Sequence, residues 1–162
     1  MEMVYCVFNN IFVINAPGSN SPSVADLAVG LMISIGRQIP QLDHITKKGN
    51  WKRKIGTELY NKKVGIIGTG DIGKGVAKRL SGFDCDIYAY DIKKDHKFAE
   101  KFNIKYKSLK IILKQSDIIS IHLPLNKETE NLIDKKKLKL MKSDAYLINT
   151  ARGEIINENS LY

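Results

Sequence analysis

Hydrophobic residues occur along this chain in two alternating patterns: short uninterrupted runs, and stripes at helical spacing. The runs are typical of parallel strands, because such strands are buried on both faces. They predict strands at residues 11–14, 64–67, 85–90, 104–106, 117–122 and 145–149. The stripes predict helices directly after Gly73, near 98–102, at 109–113 and at 133–141. Strands that alternate with helices indicate an α/β fold with a parallel sheet and right-handed crossovers.

The most apolar segment is predicted to be a helix. Ser21 suits the N-cap and Pro22 the first helical position, and the helix would run to about Gln38, before Pro40. Two interpretations stay open: an ordinary core helix, or a helix that also packs against another subunit or domain. Residues 47–60 are polar and predicted to be irregular. Both interpretations of the packing of the apolar helix arise because apolar residues cover most of its circumference: Val24, Leu27, Ala28, Val29, Leu31, Met32, Ile33 and Ile35.

Three glycines follow the predicted strand 64–67. Gly68, Gly70 and Gly73 have the spacing G-x-G-x-x-G, and a helix is predicted directly after them. The first glycine permits a tight turn, the second lets backbone approach a pyrophosphate, and the third lets the helix pack close to the strand. Amides at the helix N-terminus would bind the anion. Asp91 ends the next strand, where a carboxylate accepts hydrogen bonds from an adenosine ribose. A glycine-rich turn alone would not need this context, so we predict a dinucleotide site.

The acid at the end of the second strand also bears on the choice of cofactor. A carboxylate at Asp91 favours NAD, because it would repel the additional phosphate of NADP. Lys93 and Lys94 follow directly and can soften that repulsion. We therefore predict NAD.

Composition narrows the class of partner. The 162 residues suit one domain and carry 26 basic and 17 acidic side chains, a net charge of +9. No aromatic residues alternate with the lysines, so we expect a solvated surface that attracts anions, and no nucleic-acid partner. Cys6 and Cys85 lack metal-ligand spacing, which predicts free thiols in a reducing compartment and no metal site. Segment 24–35 is too short to span a bilayer and no secretory signal is present, so we expect a cytoplasmic protein without membrane contact.

Three segments together resemble the D-isomer-specific 2-hydroxyacid dehydrogenases. They are the glycine loop with Asp91, segment 116–124 (SDIISIHLP) with Thr129 after it, and segment 141–157 (MKSDAYLINTARGEIIN). Segments 15–18 (NAPG), 23–26 (SVAD) and 49–51 (GNW) fit the same family, so the resemblance covers nearly the whole chain. It implies a Rossmann-type doubly wound parallel sheet, incomplete at its C-terminal end, that binds NAD.

The resemblance implies a place along the cofactor for each residue of a larger set. The pyrophosphate would meet Gly68, Gly70, Asp71, Ile72 and Gly73, the ribose Asp91, the adenosine side Leu123, Pro124 and Thr129, and the nicotinamide end Thr150, Ala151 and Arg152. Arg152 matches the family's catalytic arginine, whose charged fork can hold a substrate carboxylate and polarise the carbonyl that receives hydride. From the residues alone, the alternative is a surface arginine paired with Glu154.

Two residues depart from the family's pattern, and a third invites a wrong assignment. Asp71 stands where the family has basic or neutral residues, and its carboxylate would weaken pyrophosphate binding unless it points to solvent or meets a lysine. Asp26 stands where glutamate is typical. His122 belongs to the family's cofactor-binding strand and loop, whereas the family's catalytic histidine, paired with a glutamate, lies downstream. We therefore do not expect His122 to transfer the proton.

The resemblance implies hydride transfer between NAD and a D-2-hydroxy acid. Segments 51–53 and 56–59 are most similar to members acting on 3-phosphoglycerate in serine biosynthesis, and hydroxypyruvate or glyoxylate reduction is the alternative. We expect residues 1–20 to be a remnant of the substrate domain and hinge, 21–50 an apolar hinge or dimerisation helix with its linker, and 51–162 a truncated NAD-binding domain. The full enzyme would be a homodimer, and this chain, without the family's glutamate and histidine, would have little activity. A catalytically inactive module that binds NAD or dimerises is the other candidate.

Overall fold

The apolar runs form a parallel sheet in the computed structural model, which describes Asn9 and residues 11–161. Within the described residues the strand order is β3-β2-β1-β4-β5, with every pair parallel. The order reverses between β1 and β4, and ligands of such sheets bind in the crevice at that point. The strands are β1 (Lys63–Ile67), β2 (Asp86–Tyr90), β3 (Ile104–Tyr106), β4 (Ile118–Ile121) and β5 (Tyr146–Asn149).

Helices cover both faces of the sheet, which confirms the predicted doubly wound α/β fold. On one face, α3 packs on β1, and α1 packs on α3 and β5, so that Met32 and Leu80 share one buried core with Val64 and Ile66. On the other face, α5 packs on the remaining alternate positions. The helices are α1 (Ser21–Gly36), α2 (Ile39–Lys47), α3 (Asp71–Leu80), α4 (His96–Lys101), α5 (Leu109–Gln115) and α6 (Lys135–Leu138), with 3-10 turns at Gly153–Ile155 and Glu158–Ser160.

The strand register brings the carboxyl ends of the strands to one level. Ile67 at the end of β1 pairs with Tyr90 of β2 and with Ile121 of β4. Ile121 in turn pairs with Asn149 at the end of β5. Residues directly after these strands therefore emerge side by side along one edge of the sheet.

Four predictions of local structure are wrong. Residues 11–14 form no strand and are exposed, because the described residues offer these apolar side chains neither a pairing strand nor a core. The helix predicted at 133–141 is the single turn α6, since Asp134 caps it and the chain then turns. Asn20, not Ser21, is the cap residue of α1, and its side chain makes no capping hydrogen bond. That helix ends at Gly36 rather than near Gln38, and Pro40 lies in the first turn of an unpredicted helix, α2, where it costs no hydrogen bond.

The apolar helix α1 buries a narrower face than its composition indicates. Its buried positions include three small residues, Ala25, Ala28 and Gly36, together with Val29 and Met32. By contrast Leu27, Leu31 and Ile35, which belong to the apolar set predicted for this helix, are 55%, 40% and 42% exposed. The small residues are buried because α1 lies close against α3, where a Cβ added at Gly75 would come 3.0 Å from Ala25 Cβ.

Three other expectations concern the protein's surroundings. Cys85 is a half-buried free thiol, and burial raises its pKa to about 11, whereas Cys6 lies outside the described residues. In the described part of the chain, no helix has the length and apolar character needed to cross a membrane. The same residues contain no group of three or more His, Cys, Asp or Glu side chains placed to hold a metal ion.

Candidate cofactor-binding site

The glycine loop joins β1 to α3 and depends on close backbone approach. Gly68 has φ of +95°, and a Cβ there would lie 2.5 Å from the carbonyl oxygen of His122. A Cβ at Gly73 would lie 1.9 Å from the carbonyl oxygen of Gly68, so only glycine lets α3 begin this close to the strand. A Cβ at Gly70 meets no atom within 4 Å. The open space beside Gly70 leaves room for a ligand at the N-terminus of α3, whose amides attract anions.

A cavity of about 470 Å³ lies on the β2 side of this loop, and Asp91 lines it. Asp91 Oδ2 accepts hydrogen bonds from the Thr69 amide at 2.5 Å and the Thr69 hydroxyl at 3.0 Å. Its Oδ1 accepts one from the Lys93 amide at 2.9 Å. Burial opposes ionisation of this carboxyl, but the hydrogen bonds from Thr69 and Lys93 outweigh it and hold the pKa of Asp91 below its usual value. The carboxylate is therefore charged at neutral pH and fixed in place.

A loop after β4 forms the opposite wall of this cavity. Pro124 and Thr129 line it as predicted, but the Thr129 hydroxyl is used within the loop. That hydroxyl donates to the Pro124 carbonyl at 2.6 Å and accepts from the Asn126 amide at 2.8 Å. Thr129 therefore shapes the loop that carries Pro124.

A second cavity of about 520 Å³ lies on the β5 side, and Ile72, Thr150, Ala151 and Arg152 line it. Asn149 ends β5 and holds the following turn, because its side-chain amide donates to the Arg152 carbonyl and its oxygen accepts from the Ala151 amide. The Arg152 guanidinium is exposed and donates to the carbonyl of Ala151. Within the described residues it forms no ion pair with Glu154, the predicted alternative partner.

His122 lies between the two cavities and lines both. Its Nε2 is 2.9 Å from the Ser120 hydroxyl, while its buried Nδ1 has no hydrogen-bond partner among the described residues. Burial lowers the pKa of His122 to about 4, so the ring is neutral at physiological pH. This environment agrees with the expectation that His122 belongs to the cofactor-binding wall and does not supply a proton. The buried hydroxyl of Thr150 likewise has no partner within residues 11–161.

The two departures from the family's pattern have a structural explanation. Asp71 is exposed, and its Oδ2 would lie 3.4 Å from a Cβ added at Gly18, so the carboxylate lies beside that residue rather than along either cavity. Asp26 accepts a hydrogen bond from Arg79 Nε at 2.5 Å, which ties α1 to α3. Gly73 lines neither cavity because it lies beneath the loop.

Both cavities are lined by His122, Leu123 and Pro124, so they lie side by side along the carboxyl edge of the sheet, and together we call them the trough. The trough has a fixed carboxylate near one end, an exposed arginine at the other and open space beside Gly70. This arrangement fits a dinucleotide whose diphosphate meets the N-terminus of α3. Except for Asp71 and Gly73, every predicted site residue lines the trough.

Sequence reasoning missed three residues that shape the trough. Thr69 lies between two of the assigned glycines, so its position alone was a sufficient signal. Asn149 directly precedes Thr150, and asparagine commonly bonds to backbone two residues on. Tyr106 ends β3, next to β2, and its hydroxyl lies 3.1 Å from the Thr69 hydroxyl. No periodicity indicates that last contact.

Comparison with known proteins identifies a matching family and several similar dehydrogenases and reductases. The family described as "D-isomer specific 2-hydroxyacid dehydrogenase, NAD binding domain" matches residues 29–162. The D-3-phosphoglycerate dehydrogenase of Archaeoglobus fulgidus is 41% identical, over 94% of this chain and 29% of its own. The glyoxylate reductase of Thermofilum pendens is 40% identical, over 93% of this chain and 47% of its own. The hydroxypyruvate reductase of Thermotoga maritima is 41% identical, over 94% and 49%.

Solved structures agree with this result. The apo D-lactate dehydrogenase of Escherichia coli superposes with a TM-score of 0.93 at 28% identity, over 99% of this chain and 51% of its own. The D-lactate dehydrogenase of Aquifex aeolicus, complexed with NAD and lactic acid, gives a TM-score of 0.87 at 34% identity, over 100% and 49%. The chain thus spans about half or less of the length of these relatives.

Proposed function

The chain belongs to the D-isomer-specific 2-hydroxyacid dehydrogenases, and we propose that it is part of an enzyme that transfers hydride between NAD and a D-2-hydroxy acid. Its NAD-binding fold is that of the family. The observation that carries the proposal is the trough, which has a charged, fixed carboxylate near one end and Arg152 at the other. NAD supplies the hydride acceptor and donor, so the protein's task is to bind, orient and polarise.

We propose that Asp91 accepts hydrogen bonds from the adenosine ribose and that the amides at the start of α3 meet the diphosphate. The acid has acceptor capacity left, because a carboxylate can accept about four hydrogen bonds and three reach Asp91 from Thr69 and Lys93. Leu123 and Pro124 would pack along the adenosine, with Thr129 holding their loop. Thr150 and Ala151 would meet the nicotinamide end.

Arg152 is the proposed catalytic residue. Its guanidinium is exposed at the rim of the second cavity, and within residues 11–161 its side chain bonds only to the carbonyl of Ala151. A planar cation in that position can bind a substrate carboxylate and stabilise the charge that develops on the carbonyl oxygen. Asn149 supports it by holding the backbone of its turn.

The second cavity lacks a side chain suited to proton transfer among the described residues. Of the described residues that line the second cavity, only His122 and Arg152 are titratable, the arginine permanently charged and the histidine neutral and buried. A 2-hydroxy acid must lose its hydroxyl proton as hydride leaves, so another group is required. We propose that the 162-residue chain alone has little or no activity. Turnover of 3-phosphoglycerate by the purified chain, followed as NAD reduction, would contradict this.

The substrate is proposed to be 3-phosphoglycerate, with hydroxypyruvate and glyoxylate as alternatives, since relatives named for each are about equally similar. The division into residues 1–20, 21–50 and 51–162 and the cytoplasmic location are proposed with it. A homodimer contact through α1 is supported by its exposed Leu27, Leu31 and Ile35. That face also supports the second candidate, a catalytically inactive module that binds NAD and dimerises.

A titration of NADH into the chain, followed by the fluorescence of NADH, tests whether Asp91 binds the adenosine ribose. We expect saturable binding to the wild type and at least tenfold weaker binding to Asp91→Ala, since a hydrogen bond to a charged group contributes about 1.5–3 kcal/mol. Asp144→Ala, which removes an exposed aspartate before β5, is the matched control and should bind as the wild type does. Equal affinities for the wild type and Asp91→Ala would overturn the assignment.

A further inference from the structure

Asp91 is the end of a chain of hydrogen bonds that runs from the Asp95 amide through Tyr106 of β3 and Thr69. The Asp95 amide donates to the Tyr106 hydroxyl at 3.1 Å, and the Tyr106 and Thr69 hydroxyls lie 3.1 Å apart. The Thr69 hydroxyl lies 3.0 Å from Asp91 Oδ2. These residues come from the loop after β2, from β3 and from the glycine loop.

The chemistry of the groups fixes the direction of every hydrogen bond. An amide can only donate, and an ionised carboxylate can only accept, so the Thr69 hydroxyl gives its one proton to Asp91. The Tyr106 hydroxyl must therefore donate to Thr69 while accepting from Asp95. Each hydroxyl along this path donates and accepts once, so the arrangement orients Asp91 Oδ2 from a distance.

The same tyrosine holds the loop that carries the acid. Asp95 closes that loop, and it also accepts a hydrogen bond from Lys74 Nζ of α3 at 2.6 Å and caps α4 through the Phe98 amide. Between Asp91 and Asp95 the side chains of residues 92–94 are exposed. The loop is thus tied at both ends, and Tyr106 contributes to both ties.

We propose that Tyr106, acting through Thr69, is a positioning residue that fixes the Asp91 carboxylate and thereby sets how strictly the site selects NAD over NADP. This inference depends on the proposed binding of the ribose by Asp91. A fixed carboxylate occupies the place that the 2′-phosphate of NADP would need. If the carboxylate could rotate away, the exposed Lys93 and Lys94 would be left to attract that phosphate.

Tyr106→Phe removes only the hydroxyl and keeps the ring packed on its neighbours. We expect NADH to bind about 2- to 12-fold more weakly, the equivalent of one hydrogen bond, whereas NADPH affinity stays the same or improves. The ratio of the NADPH dissociation constant to the NADH dissociation constant should therefore fall. Tyr146→Phe on β5 makes the same chemical change away from this network and should leave the ratio at its wild-type value.

A second measurement needs no cofactor. NMR titration of the Asp91 carboxyl carbon should give a higher pKa in Tyr106→Phe than in the wild type, because the hydrogen bond from Thr69 is less well held. A tyrosine with a merely structural role would change the unfolding temperature without moving this pKa or the NADH to NADPH ratio. An unchanged pKa together with an unchanged ratio overturns the proposal.

Thr69 gives the same test from the other side, should Tyr106→Phe not fold. Thr69→Ser retains the hydroxyl and should resemble the wild type, and Thr69→Val removes it and should raise the pKa of Asp91 and narrow the ratio. If the two variants behave alike, the proposal is overturned. A wild type that binds no NADH would instead refute the proposed function and the selectivity claim, while the pKa comparison still decides whether Tyr106 holds Asp91.

Discussion

The two ends of the trough are built differently. At the adenosine end, side chains and amides from three segments converge on Asp91, and its loop is tied at both ends. At the end proposed for the nicotinamide, the Arg152 guanidinium bonds only to the Ala151 carbonyl within the described residues, and the buried hydroxyl of Thr150 has no partner there. Within the described residues, one end holds its charged group with three hydrogen bonds, and the other holds its charged group with one.

This difference separates what binds a cofactor from what performs the reaction. Binding gains from groups that are already fixed, because their ordering costs nothing when the ligand arrives. Reaction at the other end requires groups that contact the substrate, and a substrate site needs more of the enzyme than an arginine. We therefore expect the adenosine end to account for most of the cofactor affinity of this chain.

The largest effect should come from offering the chain each half of the cofactor separately. ADP-ribose carries the ribose and the diphosphate, whereas nicotinamide mononucleotide carries only the other end. We expect ADP-ribose to bind roughly 100-fold more tightly, equivalent to about two hydrogen bonds to charged groups. Isothermal titration calorimetry measures both. Similar affinities for the two halves would show that the ends do not differ in this way.

Two alanine substitutions in the glycine loop should separate folding from binding. Gly73→Ala places a Cβ 1.9 Å from the Gly68 carbonyl oxygen, so we expect the free energy of unfolding to fall by about 1–3 kcal/mol. Gly70→Ala places its Cβ in open space at an ordinary φ of −70°, so stability should stay within about 0.5 kcal/mol while NADH binding weakens. Urea unfolding and NADH titration report the two quantities. Equal stability of the two variants would contradict the packing argument.

Local patterns predicted the strands of the parallel sheet, most of the helices and the turn at Gly68, whereas the resemblance to the family supplied the doubly wound arrangement and most of the candidate site residues. Buried strands need apolar runs, and the turn at Gly68 needs a residue that tolerates positive φ. The contact between Tyr106 and Thr69 could not be predicted, because the two residues are 37 positions apart in the sequence. Their contact depends on the register of β3 against β2. The second helix was missed because Pro40 was interpreted as a stop, although proline also suits a first turn.

Acid should destabilise the loop that carries Asp91 at the adenosine end. The pKa of Asp91 is lower in the folded chain than in the unfolded one, where it lies near the usual value of about 4. Above that value the folded chain gains stability from the charged carboxylate, and this gain is lost as the pH falls through the folded pKa. Asp91→Asn should therefore be less stable than the wild type by about 1 kcal/mol at pH 7, with the difference shrinking below pH 4.

Urea unfolding at pH 7 and at pH 3.5 measures that difference. Asp144→Asn, on the exposed turn before β5, is the matched control and should follow the wild type at both values. A difference between Asp91→Asn and the wild type that persists unchanged at the lower pH would mean that charge on Asp91 does not stabilise the loop.

The smallest effect on cofactor binding should come from Arg152, although it is the proposed catalytic residue. Its side chain is exposed and, within residues 11–161, hydrogen-bonds only to its neighbour's carbonyl, so Arg152→Ala should change the NADH dissociation constant less than about twofold and the stability by less than about 0.5 kcal/mol. Asn149→Ala, three residues earlier, removes the two hydrogen bonds that hold the turn and should cost about 1 kcal/mol of stability. Fluorescence titration and urea unfolding of both variants check this pair. If Arg152→Ala instead weakened NADH binding tenfold, both ends of the trough would contribute to the affinity for NADH, and the proposed difference between them would be wrong.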